Sequence, residues 1–322
     1  MRSSTTSDVC FRVSAPSAYG DVAPLVLTMP EEEPSPCPHV AEGMPGCTQP
    51  TEEDLRALRH AAHGGQPSVL QAPLDLVERI RYRWMVGHHA AFGVWQLQTR
   101  CLQAIADSPA PTTDDVHTAA RLFDAYSLLF LYTGSCSAEH YAATVRAEMM
   151  ACNAAFSGKW ARDYEPVMLA LRGIRNKHPE SVIAPLTSAA KRNHRLHMAV
   201  AKKLVPNGAS LLREAGHHPG HAPTGAERDV FDAFFQVQRR TLCRRAFAAQ
   251  LVRRFAQVMC DIAAHRLSDP ASAPARQDAI PAPRDAALRD AFEQFEEDAG
   301  DLLLRISEIV ISQQVSLPRQ RR

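Results

Sequence analysis

Two histidine groups hold the side chains in this sequence best suited to chemistry. His88 and His89 lie in Arg81-Tyr-Arg-Trp-Met-Val-Gly-His-His-Ala-Ala-Phe-Gly-Val-Trp95. His194 and His197 lie in Lys191-Arg-Asn-His-Arg-Leu-His-Met-Ala-Val-Ala-Lys-Lys-Leu-Val205. Both segments carry the apolar spacing of long amphipathic helices. Neutral imidazole is a common metal ligand, and its proton exchange falls near neutral pH. Histidines on two facing helices can therefore hold a flat metal cofactor, one as axial ligand and one on the open side.

On a helix, Trp84, His88, Ala91 and Trp95 share one face, and Met85, His89, Phe92 and Gln96 share the adjacent one. One histidine is flanked by aromatic and apolar groups whichever face is buried, and the sequence leaves open which one. The plain alternative is a partly buried histidine bonded to a backbone carbonyl. His194 and His197 are three residues apart and can point to one side, which Val200, Ala201 and Leu204 continue with small or aliphatic groups. A ligand imidazole beside a planar macrocycle needs such low bulk. A His-x-x-His pair also suits zinc, although no Glu lies between the two to make a metalloprotease motif. A polar face beside Lys191, Arg192 and Arg195 is the competing reading. A third segment, Phe156-Ser-Gly-Lys-Trp-Ala-Arg-Asp-Tyr164, mixes a flexible Ser-Gly with Trp160, Arg162 and Tyr164. Arginine binds carboxylates bidentately and aromatic walls bind apolar side chains. A surface turn with a salt-bridged arginine would look the same.

The elements that must position these residues read as helices. Thr51-Glu-Glu-Asp54 caps a short helix that ends at Gly64-Gly65. Residues 74–106 form a long helix with the first histidine pair. Pro111-Thr-Thr-Asp-Asp115 starts a helix that stops before Gly134, and Ser137 caps another to about residue 155. The 156–164 connector precedes a helix to about Arg175. Pro179 opens the helix of His194 and His197, which Pro206-Asn-Gly208 ends. After a Gly/His/Pro loop at 216–225, one long helix is expected over 226–267, then a Pro/Ala linker at 268–284, a last helix at 285–313 and a tail at 316–322. No alternating β-branched segments with hairpin turns are evident, and no repeat recurs. The fold class is all-α. Residues 1–50, rich in Pro, Ser, Thr and Gly, are expected to be disordered, leaving 51–315 as a single helical domain. Met29 followed by Pro-Glu-Glu-Glu suggests that the first 28 residues are an upstream extension.

Composition narrows the function classes. Of 322 residues, 45% are hydrophobic and 22% charged, which suits a soluble globular protein. A net charge of +1 gives no global field to attract nucleic acid or an anionic membrane. The basic pairs Arg239-Arg240, Arg244-Arg245 and Arg253-Arg254 read as a solvated helix face. The eight cysteines form no CxxC pair, so zinc fingers and dithiol redox chemistry have no support. Most sit in helical patterns as small apolar residues, which implies a reducing cytoplasm. No apolar run is long enough to span a membrane, and no signal peptide is evident. Thr113-Asp-Asp-Val-His117 lacks the further aspartate that a terpene-synthase magnesium site needs.

Taken together, the three histidine and arginine segments resemble the tryptophan 2,3-dioxygenase superfamily of histidine-ligated haem enzymes. That family's distal helix reads approximately F-I-x-x-H-Q-x-x-E-L-W, and Trp84–Trp95 keeps its His-to-Trp spacing when His89 stands in the histidine's place. Its G-F-Q-S-x-Q-[FY]-R motif is similar to Ala155–Arg162, with Arg162 at the arginine. Its proximal helix, R-H-x-x-M-V-x-R-x-I-G, is similar to His197–Val205, with His197 as the iron ligand. Three departures stand out. Ala90 replaces the glutamine after the distal histidine, Gly93-Val94 replaces Glu-Leu, and Pro206-Asn-Gly-Ala-Ser210 stands where the dioxygenases have Gly-Thr-Gly-Gly-Ser.

Within the superfamily the chain looks most similar to the haem-dependent L-tyrosine hydroxylases of natural-product pathways, with Val145-Arg146 and Phe156–Tyr164 as further points of likeness. The resemblance implies a helical bundle enclosing haem b, with His197 on the iron and His89 or His88 as acid/base. Arg162 would hold the substrate carboxylate, with Trp160, Tyr164 and Phe92 around the substrate and Trp84 as a further wall. Hydrogen peroxide or dioxygen would be the oxidant, and L-tyrosine would become 3,4-dihydroxy-L-phenylalanine. The implied partner is a small aromatic amino acid, without nucleic acid or membrane, in a homo-oligomer. A tryptophan-directed haem oxygenase and a haem-binding protein without turnover are the competing expectations.

Overall fold

A computed structural model describes residues 22–37, 52–206, 208–218, 220–267, 283 and 285–315. The expectations of disorder at 1–21 and 38–50, of a linker over 268–284 apart from residue 283, and of a tail at 316–322 lie outside the described residues. The chain is predominantly helical, as expected for an all-α fold. In order come β1 (Leu25–Leu27), α1 (Glu52–Ala62), α2 (Leu76–Asp107), α3 (Thr113–Thr133), α4 (Ala138–Tyr141), a π-helical turn (Ala142–Arg146) and α5 (Ala147–Cys152). A 3-10 turn (Gly158–Trp160), α6 (Tyr164–Lys177), α7 (Glu180–Leu204), α8 (Leu211–Glu214), α9 (Gly225–Phe234), β2 (Val237–Arg239), α10 (Arg244–Ala264) and α11 (Ala286–Val315) follow.

Local chemistry sets several boundaries. The Asp75 side chain caps α2 by accepting from the Glu78 N–H. Thr112 and Asp115 form a reciprocal capping box on α3, and Thr224 and Glu227 form another on α9. Ser137 caps α4 through the His140 N–H. Gly134 ends α3, and Pro179 precedes the first turn of α7.

Helix α2 is the central strut. From Met85 to Thr99 every residue except His88 is buried. A helix buried on all sides belongs in the middle of a bundle, and α2 packs on α3, α6 and α10. Gly87 makes the α2–α3 approach possible, because a Cβ there would fall 2.3 Å from Thr133 Cγ2 and 2.9 Å from Tyr132 Cδ1. Gly134 plays the same part beneath α7, where a Cβ would fall 2.3 Å from Val200 Cγ1. Apolar positions of α10 and α11 pack into this chain's own core. Phe255, Val258, Phe292, Leu303 and Ile306 are all buried.

One buried ion pair ties these helices together. Arg83 of α2 donates from Nε to Asp261 Oδ2 of α10 at 2.6 Å and from Nη1 to Ser135 Oγ at 3.0 Å. Tyr132 of α3 donates to the same aspartate at 2.9 Å. With its hydrogen bonds satisfied, such a pair is tolerated in a dry core.

Two expectations need correction. The helix foreseen over 226–267 is two helices, α9 and α10, separated by β2. Phe235 ends α9, Gln236 takes a left-handed φ of 51°, and Cys243 caps α10. The segment expected to be disordered up to residue 50 also contains structure. Leu25–Leu27 is buried and pairs in parallel with Val237–Arg239. On its other side, Gln250 accepts from the Val26 N–H at 2.8 Å and donates to the Val26 carbonyl at 3.1 Å. This strand precedes Met29, so part of the proposed upstream extension belongs to the fold. A three-residue strand is too short to show alternation, and its partner lies over two hundred residues away. No helix among the described residues is long and apolar enough to cross a membrane.

Candidate active site

Two adjoining cavities, of about 400 and about 700 Å³, lie between α2, α3 and α7. Volumes of this order hold a cofactor or a drug-sized ligand. They share His88 from α2, Phe130 and Thr133 from α3, His197 from α7 and Arg213 from α8. The smaller one is walled by Trp95, Tyr126 and Tyr164, and the larger by Trp84, Tyr141, Arg146, Val200 and Ala201. His88 and His197, over a hundred residues apart in sequence, thus face one space.

Of the first histidine pair, His88 is the one that faces the cavity. It is half-buried, its ring stacked on Phe235 with centroids 4.5 Å apart and tilted against Trp84 at 4.4 Å. Its Nδ1 lies 2.7 Å from the Trp84 carbonyl. A carbonyl can only accept, so Nδ1 carries the proton and Nε2 keeps its lone pair. Nε2 makes no hydrogen bond to a described residue. Burial pushes the ring's pKa down to about 4, against the Trp84 hydrogen bond that raises it. The ring is therefore neutral at neutral pH.

His89, placed at the distal position by the family motif, sits one helix step away and is fully buried. Its Nε2 donates to the Phe235 carbonyl at 2.6 Å, while Nδ1 meets no partner among the described residues. Burial, then the nearby Arg254, holds the ring neutral. It does not line either cavity.

His197 is half-buried and stacked on Phe130, with centroids 4.3 Å apart and planes 17° from parallel. Burial, with a smaller effect of His194, lowers its pKa. Neither ring nitrogen bonds to a described residue. His194 is exposed and away from the cavities, so the His-x-x-His pair does not converge. Among the described residues no group of three or more His, Cys, Asp and Glu side chains could hold a metal ion.

Arg162 is not on the cavity wall. It donates from Nε to Asp232 at 3.0 Å and from Nη2 to Asp229, both on α9. The salt-bridged turn is what the structure contains, and the role of free carboxylate anchor needs correction. The neighbouring Asp163 is likewise engaged, accepting two bonds from Arg239 of β2 at 2.9 and 2.7 Å and one from Gln96 at 2.9 Å. This cluster fastens the 156–164 connector to α9 and β2. Trp160 is buried against Phe156, and Phe92 is buried beneath His88 and Phe235, so both support the wall from behind. Tyr164 does reach the smaller cavity, its ring 5.1 Å from Trp95 and 5.8 Å from Tyr126. Burial raises the pKa of both tyrosines, so both remain protonated phenols.

The sequence held one signal for the α3 wall. Tyr126, Phe130 and Thr133 follow helical spacing and line one face. Arg213 carried no signal, because it lies in a four-residue helix inside an irregular stretch.

The fold and site define a helical protein with a histidine-lined aromatic cavity. Residues 39–185 match the family model described as SfmD 3-methyl-L-tyrosine peroxygenase, a little under half the chain. The matched stretch contains α2 with both histidines, α3 and the 156–164 connector, and ends ahead of His197. No curated protein matches the chain. Over the matched stretch the chain is similar to oxidoreductases that use peroxide on a tyrosine derivative.

Proposed function

We propose that this chain is a haem-dependent peroxygenase that hydroxylates L-tyrosine to 3,4-dihydroxy-L-phenylalanine. The observation that carries the reading is that His88 and His197 line the same cavities, each with an imidazole nitrogen bound to no described residue. The residues present fit a haem. Gly87, Ala91 and Ala201 keep the walls low beside the imidazoles, and the lining is mainly apolar and aromatic. Lys202 supplies a cation for a propionate group.

His197 would hold the iron through a ring nitrogen, its plane fixed by Phe130. The bound haem would supply the oxidising chemistry, using peroxide as the two-electron oxidant. One peroxide oxygen enters the aryl C–H bond and the other leaves as water. His88 presents a neutral Nε2 to this space and accepts a proton from peroxide or from the phenol. Trp95, Tyr126 and Tyr164 form an aromatic wall for the substrate ring and keep bulk water from it.

The matching family's description favours a second substrate, 3-methyl-L-tyrosine. Purified protein should show the absorption band of a histidine-ligated haem and convert L-tyrosine to the catechol with isotopically labelled peroxide, one labelled oxygen entering each product. Faster turnover of 3-methyl-L-tyrosine would reassign the substrate. Faster turnover of an indole amino acid would favour the tryptophan-directed alternative. A colourless protein, or haem without product, would defeat the proposal.

A further inference from the structure

An amino-acid substrate brings a carboxylate into the cavity, and Arg162 is already paired with two aspartates. Of the other cations, Arg146 is paired with Glu214 at 2.7 Å and bonds to the Ala209 carbonyl at 3.2 Å. Lys202 reaches only the larger cavity, and Lys159 only the smaller. Arg213 lines both cavities and has no ion pair among the described residues.

The segment that carries Arg213 is held in place. Leu211 and Leu212 are buried on its inner side. The Arg146 pairing with Glu214 and Ala209 grips it from the π-helical turn. A π turn adds a residue to the helical circuit and re-aims the side chains after it, which is why such turns mark functional sites. Here Arg146 is the last residue of the turn, and its partner Glu214 is the immediate neighbour of Arg213.

We propose that Arg213 recognises the carboxylate of the amino-acid substrate, and that the Arg146–Glu214 pair positions it. This deepens the proposed function and rests on its amino-acid substrate. A guanidinium binds carboxylate through two parallel hydrogen bonds, which a lysine cannot reproduce. Arg213 is a binding residue, and Glu214 is a positioning residue that acts through it.

The test compares L-tyrosine with tyramine, which keeps the phenol and the amine but lacks the carboxylate. Calorimetric titration of the purified full-length protein should show L-tyrosine binding about 10- to 100-fold tighter. Arg213→Ala should bring the two affinities together without changing haem content, and Arg213→Lys should keep a small part of the preference. Glu214→Gln should reduce the preference with haem content and thermal midpoint unchanged.

An Arg213→Ala protein that still prefers L-tyrosine would overturn the assignment. So would a protein that loses haem instead, since Arg213 would then serve a propionate. An unaltered preference in Glu214→Gln would remove the positioning role. The outcome separates from the proposed function, because L-tryptophan and tryptamine make the same comparison. If the indole pair shows the Arg213-dependent preference, or if no hydroxylation occurs, the carboxylate assignment stands while the tyrosine hydroxylase reading falls. Wild-type protein that binds each amino acid no better than its amine overturns the assignment whatever its turnover.

Discussion

Two adjacent imidazoles on α2 have different work because one helix step separates their surroundings. His88 keeps a lone pair toward the cavity, and His89 spends its N–H on the Phe235 carbonyl. Their substitutions should therefore fail differently. His88→Gln is expected to retain haem and fold while turnover drops by about 10²- to 10⁴-fold, the usual worth of a general acid/base. Haem absorbance and steady-state rates on the same sample check this. His89→Ala leaves a buried carbonyl unpaired and opens a void, and should cost about 2–5 kcal/mol in a denaturant melt. Both rings also make stability depend on pH. They stay neutral in the fold, His88 down to about pH 4, but take a proton near 6.5 when unfolded. Between these values the unfolded chain binds more protons, so stability is full above 6.5 and falls as pH drops toward 4. Denaturant midpoints should decline from about pH 7 to about pH 5, and less so in His88→Gln. The sequence narrowed the cavity-facing histidine of α2 to two neighbours and could go no further. Both faces of α2 are aromatic, and the facing partner Phe235 lies 146 residues on. Arg162 misled for a related reason, because its spacing from Phe156 says nothing of the aspartates that α9 brings to it.

Helices whose positions were legible are those with strong chemical punctuation. The Thr112–Asp115 box, Ser137, Gly134 and Pro179 all stand at the ends they suggest. Where punctuation failed, so did the reading. No Gly or Pro marks the break after Phe235, since Gln236 takes the left-handed conformation that glycine usually fills. The π turn likewise leaves no trace in an Ala-rich stretch. Contact between helices is set by small residues, and Gly87 is the most exposed to test. Gly87→Ala forces its new methyl into Thr133 and Tyr132. Separation of α2 from α3 should cost about 1–3 kcal/mol despite better helix propensity, read as a lower denaturant midpoint. The same change should weaken haem retention, because Gly87 and Thr133 both line the smaller cavity.

Across the molecule, the buried Arg83–Asp261 pair joins α2, α3 and α10. Asp261→Asn leaves a guanidinium in a dry core and should cost about 3–5 kcal/mol, measurable by chemical denaturation. Sequence patterning captured the helical class and named α2 and α7 as carriers of the histidines that line the cavities. It could not foresee that a strand near the start would dock onto residues near 238, since that pairing has no local signature. Protein beginning at Met29 would lack β1, and with it three buried apolar side chains worth on the order of 5 kcal/mol. It should melt earlier or aggregate. Phe235 gives that loss a reach beyond stability. Its backbone oxygen is tied to His89, its ring lies flat on His88, and two residues later the chain enters β2. Trimming the leading residues would thus shift the cavity-facing imidazole from afar, so that, under the proposed function, two versions of this polypeptide with different first codons would share a cofactor and differ in speed.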